Sequence, residues 1–245
     1  AGRHFRQAEV AMVRGHAQKL EDADRRPSLV DDAYAAMKEE IRESRFPPGY
    51  HASEQEIALR LGMSRTPVHE AAIRLQEDGL VRILPRKGIV ICALAPEDMR
   101  EIYDVVIAIE GRAAALLAQM SEAERARAAS QLAEHTKNMA TAWETGDLAG
   151  WGHADECFHR TLVERAGNGR MIRINQTITD QAHRARMLTL KLRRELGASA
   201  AEHERIIQAI HDGEAAAAQE QAYRHRSRAR DELLPLLESF GLKHL

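Results

Sequence analysis

The stretch from Ser53 to Cys92 constrains this chain most, because it holds two helical patterns and one hairpin in a fixed order. Ile57, Leu59 and Leu61 predict a short apolar helix that stops at Gly62. Ser64 offers a hydroxyl for the next N-cap, and Pro67 falls in the first turn, where a missing N–H does no harm. In the helix that follows, Val68, Ala71, Ala72 and Leu75 form one stripe and leave Arg65, Thr66, His69 and Arg74 outside it. Gly79 suits the left-handed position just past the helix end. Leu80–Leu84 and Ile89–Cys92 are β-rich runs separated by Pro85-Arg86-Lys87-Gly88, which reads as a tight turn. Helix, short turn, helix and basic-tipped hairpin predict a winged helix-turn-helix, a module that lays its second helix in the DNA major groove.

The run PPGYHASEQEIALRLGMSRTPVHEAAIRLQEDGLVRILPRKGIVI resembles the DNA-binding domain of GntR-family bacterial transcription regulators, with SRTPV and EDGLV at their usual spacing. The chain departs from that pattern at His69, where the family usually has Arg, and at Gln55, where a basic residue is frequent. Both positions in the family can touch DNA, so the resemblance implies an operator sequence that differs from those of relatives. The expected DNA-contacting set is Gln55, Ser64, Arg65, Thr66, His69 and Arg74, with Lys87 and Gly88 of the wing approaching an adjacent groove or phosphate.

A chain of 245 residues can build two domains, each with its own core. The net charge of −2 advertises no global affinity for nucleic acid, yet from Ile57 to Val90 six basic residues face three acidic ones. Residues 101–245 carry 19 basic and 21 acidic residues. A local basic footprint on a near-neutral chain fits a DNA binder whose second domain does something else, and charge alone fits a solvated face equally well. Cys92 and Cys157 give no disulfide framework, which fits a reducing cytoplasm. No apolar run approaches the roughly 18–20 residues of a membrane span, and the amino end lacks a signal-peptide core. The expected location is cytoplasmic.

In chain order, residues 1–27 read as a flexible or loosely helical arm. Ser28 caps a helix over about Leu29–Ser44, with Val30, Tyr34, Met37 and Ile41 at helical spacing. The winged domain is expected over 28–93, a linker over 94–96, and an all-α antiparallel bundle over 97–240. Six bundle helices are expected: Pro96 to Gln119, Ser121 to Thr145, Asp147–Ala166, Met171–Leu196, Ser199–Asp212 and Glu214–Phe240.

Within the bundle, Asp155 and His159 stand four apart on one helix face. His203 and His225 flank the turn at Gly213 at similar distances, so a helical hairpin sets them level. One carboxylate and three imidazoles suit a divalent transition metal with open positions, although such spacings also occur by chance among 12 histidines and a buried His often serves as a hydrogen-bonded core residue. The segments IYDVVIAIEGRAAALLA, DECFHRTLVERAGNGRM and EHERIIQAIHDGEAAAAQEQAYRH resemble the FadR C-terminal ligand-binding domain. Many members bind a metal through an Asp and a His four apart plus two later His, which correspond here to Asp155, His159, His203 and His225. The resemblance thus implies a cofactor (Zn, Ni or Mn), a small organic acid effector and a homodimer.

Where the family's first bundle helix carries Glu-Val-Arg, this chain reads Asp104-Val105-Val106. That loss implies a less anionic or more apolar effector, or a carboxylate held by the metal and another base. Arg184 and Arg186 are candidate substitutes, although a solvated surface position is the plainer reading of each, and Asn168 either ends a helix or faces the pocket. His135, His183 and His211 show no partner pattern, and Trp143 and Trp151 are expected to pack around the break at Gly146. Three functions compete: an effector-controlled repressor or activator, a metal-dependent hydrolytic enzyme tethered to DNA, and a helical adaptor without metal. The absence of HExxH and of an evident general base beside the ligands disfavours the enzyme.

Overall fold

The computed structural model describes residues 28–193 and 196–239; the arm expected over 1–27 and the end of the last helix at Phe240 lie outside it. The head begins with α1 (Leu29–Arg42), whose Ser28 cap forms a reciprocal capping box with Asp31. A two-residue strand β1 (His51–Ala52) precedes α2 (Glu54–Leu61) and α3 (Arg65–Glu77), and the wing consists of β2 (Val81–Leu84) and β3 (Gly88–Ile91). The antiparallel sheet runs β1-β3-β2, with His51 opposite Val90 and Val81 opposite Ile91. Strand β1 is too short to show a period and was not expected. Its neighbour explains Gly88: at φ 101°, a Cβ there would meet the Ala52 carbonyl oxygen at 2.5 Å.

The predicted stripe on α3 is the buried one, and Val68, Ala71, Ala72 and Leu75 join Met37, Ile41, Phe46, Ile57, Leu80 and Ile89 in one core. Each fully buried large aliphatic side chain contributes about 1.5–3 kcal/mol. Leu59 does not join them and is 83% exposed, because the buried side of α2 is the Ile57–Ala58–Leu61 side.

The bundle contains α4 (Pro96–Ala118), α5 (Glu122–Glu144), α6 (Leu148–Arg165), α7 (Gly169–Thr189), α8 (Ala198–Asp212) and α9 (Ala215–Ser239). Helix α4 packs chiefly on α9, and α5 on α6. The helix expected to run unbroken to Leu196 instead ends at Thr189 and tightens into a 3₁₀ turn, Leu190–Leu192. Thr189 bonds back to the Ala185 and Arg186 carbonyls, and Leu190 and Leu196 then fold into a small core with Trp151 and Met139. Trp151 is buried there, whereas Trp143 is half-exposed. No helix among the described residues is long and apolar enough to cross a membrane.

Candidate functional site

The exposed side of the head presents the N-terminal turns of α3. Ser64 occupies the N-cap backbone position, but its hydroxyl makes no capping bond and stays available. Arg65, Thr66 and His69 are exposed beside it. Glu54, on α2, holds two of them: His69 Nδ1 is 2.6 Å and Arg65 Nη2 is 3.5 Å from its carboxylate. Gln55 is exposed next to Glu54, and Arg86 and Lys87 form the exposed wing tip. Arg74 sits differently, at the far end of α3, where it pairs with Asp31 at 2.7 Å and lies over the Tyr34 ring.

A second constellation is fully internal. Asp155 and His159 project from α6, His203 from α8 and His225 from α9, all buried, with one donor atom of each within 4.8 Å of the others. The Nε2 atom of His225 is 3.2 Å from both His203 Nε2 and His159 Nε2, and Asp155 Oδ1 is 3.5 Å from His159 Nε2 and 3.7 Å from His203 Nε2. At a common bond length of 2.0–2.1 Å, adjacent ligand atoms lie about 3.3–3.4 Å apart in a tetrahedral site and about 2.8–3.0 Å apart in an octahedral one. The cluster therefore has nearly the spacing of a coordination shell.

What aims these atoms inward is a set of charged partners. His159 Nδ1 lies 2.8 Å from Glu110 of α4, which is clasped by Arg226 at 2.6 and 2.7 Å. His225 Nδ1 lies 2.7 Å from Glu202, itself held by Arg228. A carboxylate on Nδ1 keeps the proton there and leaves the Nε2 lone pair free to coordinate. His203 stacks on Phe158 with ring centroids 3.6 Å apart, and its buried Nδ1 finds no partner among the described residues. Burial lowers His203, and the neighbouring His225 and His159 lower it further. Burial also outweighs the Glu202 bond at His225 and brings it down to about 4. Burial works against ionisation of Asp155, but Arg186 at 2.6 Å and the facing imidazoles hold its carboxyl well below the usual range. Neutral imidazoles at His203 and His225, the ring of His159 and an ionised Asp155 at this spacing fit a divalent transition metal.

The residue after Asp155 turns toward the head. Glu156 accepts two hydrogen bonds at 2.6 Å from Arg42 of α1, and Arg42 also pairs with Asp180 of α7. Lys38 reaches the same Asp180 at 2.5 Å, and His183 Nδ1 lies 3.0 Å from Glu156. Further along α7, Gln181 Nε2 donates to the Asp78 carbonyl at 2.8 Å and Arg184 donates to the Cys92 carbonyl at 2.6 Å. Gly79 is needed twice over here: its φ is 70°, and a Cβ would meet Gln181 Nε2 at 2.8 Å.

Residues 101–228 match the FCD domain, and residues 29–91 match the bacterial regulatory proteins of the gntR family. The chain belongs to the GntR family. An HTH-type transcriptional regulator from the TAR-I ttuE-ttuC' intergenic region of Agrobacterium vitis is 58% identical over 134 residues, spanning 55% of this chain and 78% of that one. The regulator YdhC of Bacillus subtilis is 27% identical over 206 residues, 84% of this chain and 91% of its own. The solved structure of a putative GntR regulator from Rhodococcus sp. RHA1 shares the fold at a TM-score of 0.71, with 23% identity over 84% of this chain and 97% of that one. These relatives are transcriptional regulators rather than enzymes, and a GntR head with an FCD domain is a DNA-binding module joined to a small-molecule-binding one.

Against the expectations for a GntR-family chain, the structure brings Asp155, His159, His203 and His225 together. It corrects the surface reading of Arg184 and Arg186, which are each only 2% exposed. Arg186 lies against Asp155, while Arg184 is turned toward the head. Asn168 is exposed and caps α7, accepting from the Arg170 and Met171 N–H groups. Glu110, Arg226 and Glu202 were not anticipated. Glu110 did carry a signal: it lies four residues from Val106 and three from Ala113, a charge at a core position of an apolar stripe.

Proposed function

We propose that this GntR-family regulator binds operator DNA through a head spanning 28–93 and controls that affinity with a small organic acid bound at a metal centre in a bundle spanning 97–240. Asp155, His159, His203 and His225 would hold Zn, Ni or Mn, with availability choosing among them. Bound there, such an ion supplies Lewis acidity that can take up an effector carboxylate. The chain's own residues do the rest: Glu110 and Glu202 orient imidazoles, and Arg186 steadies Asp155. The observation that carries the reading is the adjacency of Asp155 and Glu156 on α6, one in the cluster and the other gripping Arg42 of the head.

An effector that binds one arrangement of α6 and α7 more tightly than another shifts the head by that difference in affinity, and by no more. Ser64, Arg65, Thr66, His69 and Gln55 would read or position the DNA, with Lys87 and Gly88 at the wing. A homodimer acting in the cytoplasm would match a two-fold-related operator. The deciding experiment is elemental analysis of the purified protein before and after chelation, alongside thermal shifts with a panel of organic acids. One metal per chain, and an acid that stabilises only the loaded form, are expected. A protein that takes up no metal on reloading would reduce the four side chains to core residues.

A further inference from the structure

A cavity of about 330 Å³ lies between the wing sheet and helices α4 and α7, apart from the metal cluster. Val90, Leu94, Met99 and Ile102 give it apolar walls, and Cys92 and Arg184 also line it. Its size is at the small end of ligand clefts, which run about 300–1,000 Å³. Acidic Asp98 and Glu101 lie on its lining too, and Asp98 has a partner of its own.

Arg184 is the anomaly. Its side chain is as buried as those of Arg186 and Arg226, yet each of those has a carboxylate within 2.6 Å. Arg184 has no carboxylate within ion-pair distance among the described residues, and its Nε has no acceptor. Of its five N–H donors, one is used, on the neutral Cys92 carbonyl. Burial pushes this guanidinium down to about 10. A buried charge normally persists only when paired; Asp180 acts on Arg184 from beyond ion-pair distance, so its guanidinium has no contacting anion among the described residues.

We propose that this cavity is a second ligand site, for a small carboxylic acid with an apolar body, whose carboxylate takes the open donors of Arg184. The apolar walls would cover the body of the ligand. Val90 and Cys92 belong to the head while Leu94, Met99, Ile102 and Arg184 do not, so an occupant bridges the two and strengthens their seating. The inference does not depend on the metal centre.

The test uses the full chain after EDTA treatment, with benzoate as probe and benzamide as its neutral counterpart. Benzoate should raise Tm and slow alkylation of Cys92 by iodoacetamide, mapped by peptide mass, with the buried Cys157 as internal reference. Benzamide should do neither. Arg184→Met should weaken benzoate binding by about tenfold or more. Ile102→Trp, which fills the cavity and leaves the guanidinium in place, should abolish protection of Cys92. An unchanged Cys92 rate in the wild type, an equal response to benzamide, or protection that survives both substitutions would overturn the site. A response seen only in metal-loaded protein would move the acid to the metal centre and also overturn it.

Discussion

Glu110 shows how much one residue decides. It stands 49 positions from His159 and 116 from Arg226, yet it touches both and sets which nitrogen of His159 faces the cluster. Glu110→Gln should therefore weaken metal affinity by about 10–100-fold, measured by competition with a chromophoric chelator, while the fold persists. His203→Ala and His225→Ala should each remove the metal from purified protein outright. The metal-stripped protein should also be sensitive to acid. His225 is held at about 4 in the folded state, against about 6.5 in an unfolded chain. Below 6.5 the unfolded chain binds the extra proton, so the stability from the neutral ring is complete above about 6.5 and is lost as pH falls toward 4. Thermal melts in chelator between pH 7.5 and 5 should show Tm falling, and His225→Ala should flatten that slope. A Tm that rises on acidification would contradict the burial of neutral imidazoles.

At the scale of elements, α6 and α7 each look in two directions. Helix α6 carries Asp155 inward and Glu156 toward α1, and α7 carries Arg186 inward and Asp180, Gln181 and Arg184 toward the head. Arg42→Ala removes the shared partner of Glu156 and Asp180. It should cost about 1.5–3 kcal/mol in denaturant unfolding, and operator affinity should stop responding to effector even though metal still binds. The reading helix and wing make a separate prediction: Lys87→Ala should lower the salt slope of operator binding by about one unit, weakening all sequences alike. Arg65→Ala should reduce affinity in the same gel-shift titrations, whereas Arg74→Ala should chiefly reduce stability, because Arg74 is tied to Asp31 and Tyr34. The elements themselves were legible because their signals are local. Ser28 caps α1 as expected, Gly62 and Gly213 end helices in the left-handed conformation, and the apolar stripe of α3 is its buried face, although the Ser64 hydroxyl makes no capping bond. Helix α7 was misjudged because its end is set by Thr189 bonding back and by Leu190 and Leu196 finding a core, which no period reports.

For the whole molecule, effector and operator sites must be linked reciprocally. If an acid changes operator affinity by a given factor, operator DNA should change the affinity for that acid by the same factor, which paired fluorescence titrations can check. An unequal pair of factors would mean that the two ligands are not biasing one shared equilibrium. Residue spacing along the chain was enough to predict a winged head and a helical bundle, because i,i+4 spacing and symmetry about a turn are short-range geometry. It set Asp155 beside His159 and His203 level with His225, but the resemblance to the FadR C-terminal domain is what singled those four out from 12 histidines. Only tertiary packing could decide that Arg186 meets Asp155, that Glu110 and Glu202 aim the imidazoles, and that Arg184 is buried with no carboxylate at ion-pair distance among the described residues. The physical reason is that a charged side chain looks the same in sequence whether water or another chain segment will surround it. Arg42 and Glu156, 114 residues apart, acquire their meaning when the folded core removes the water between them.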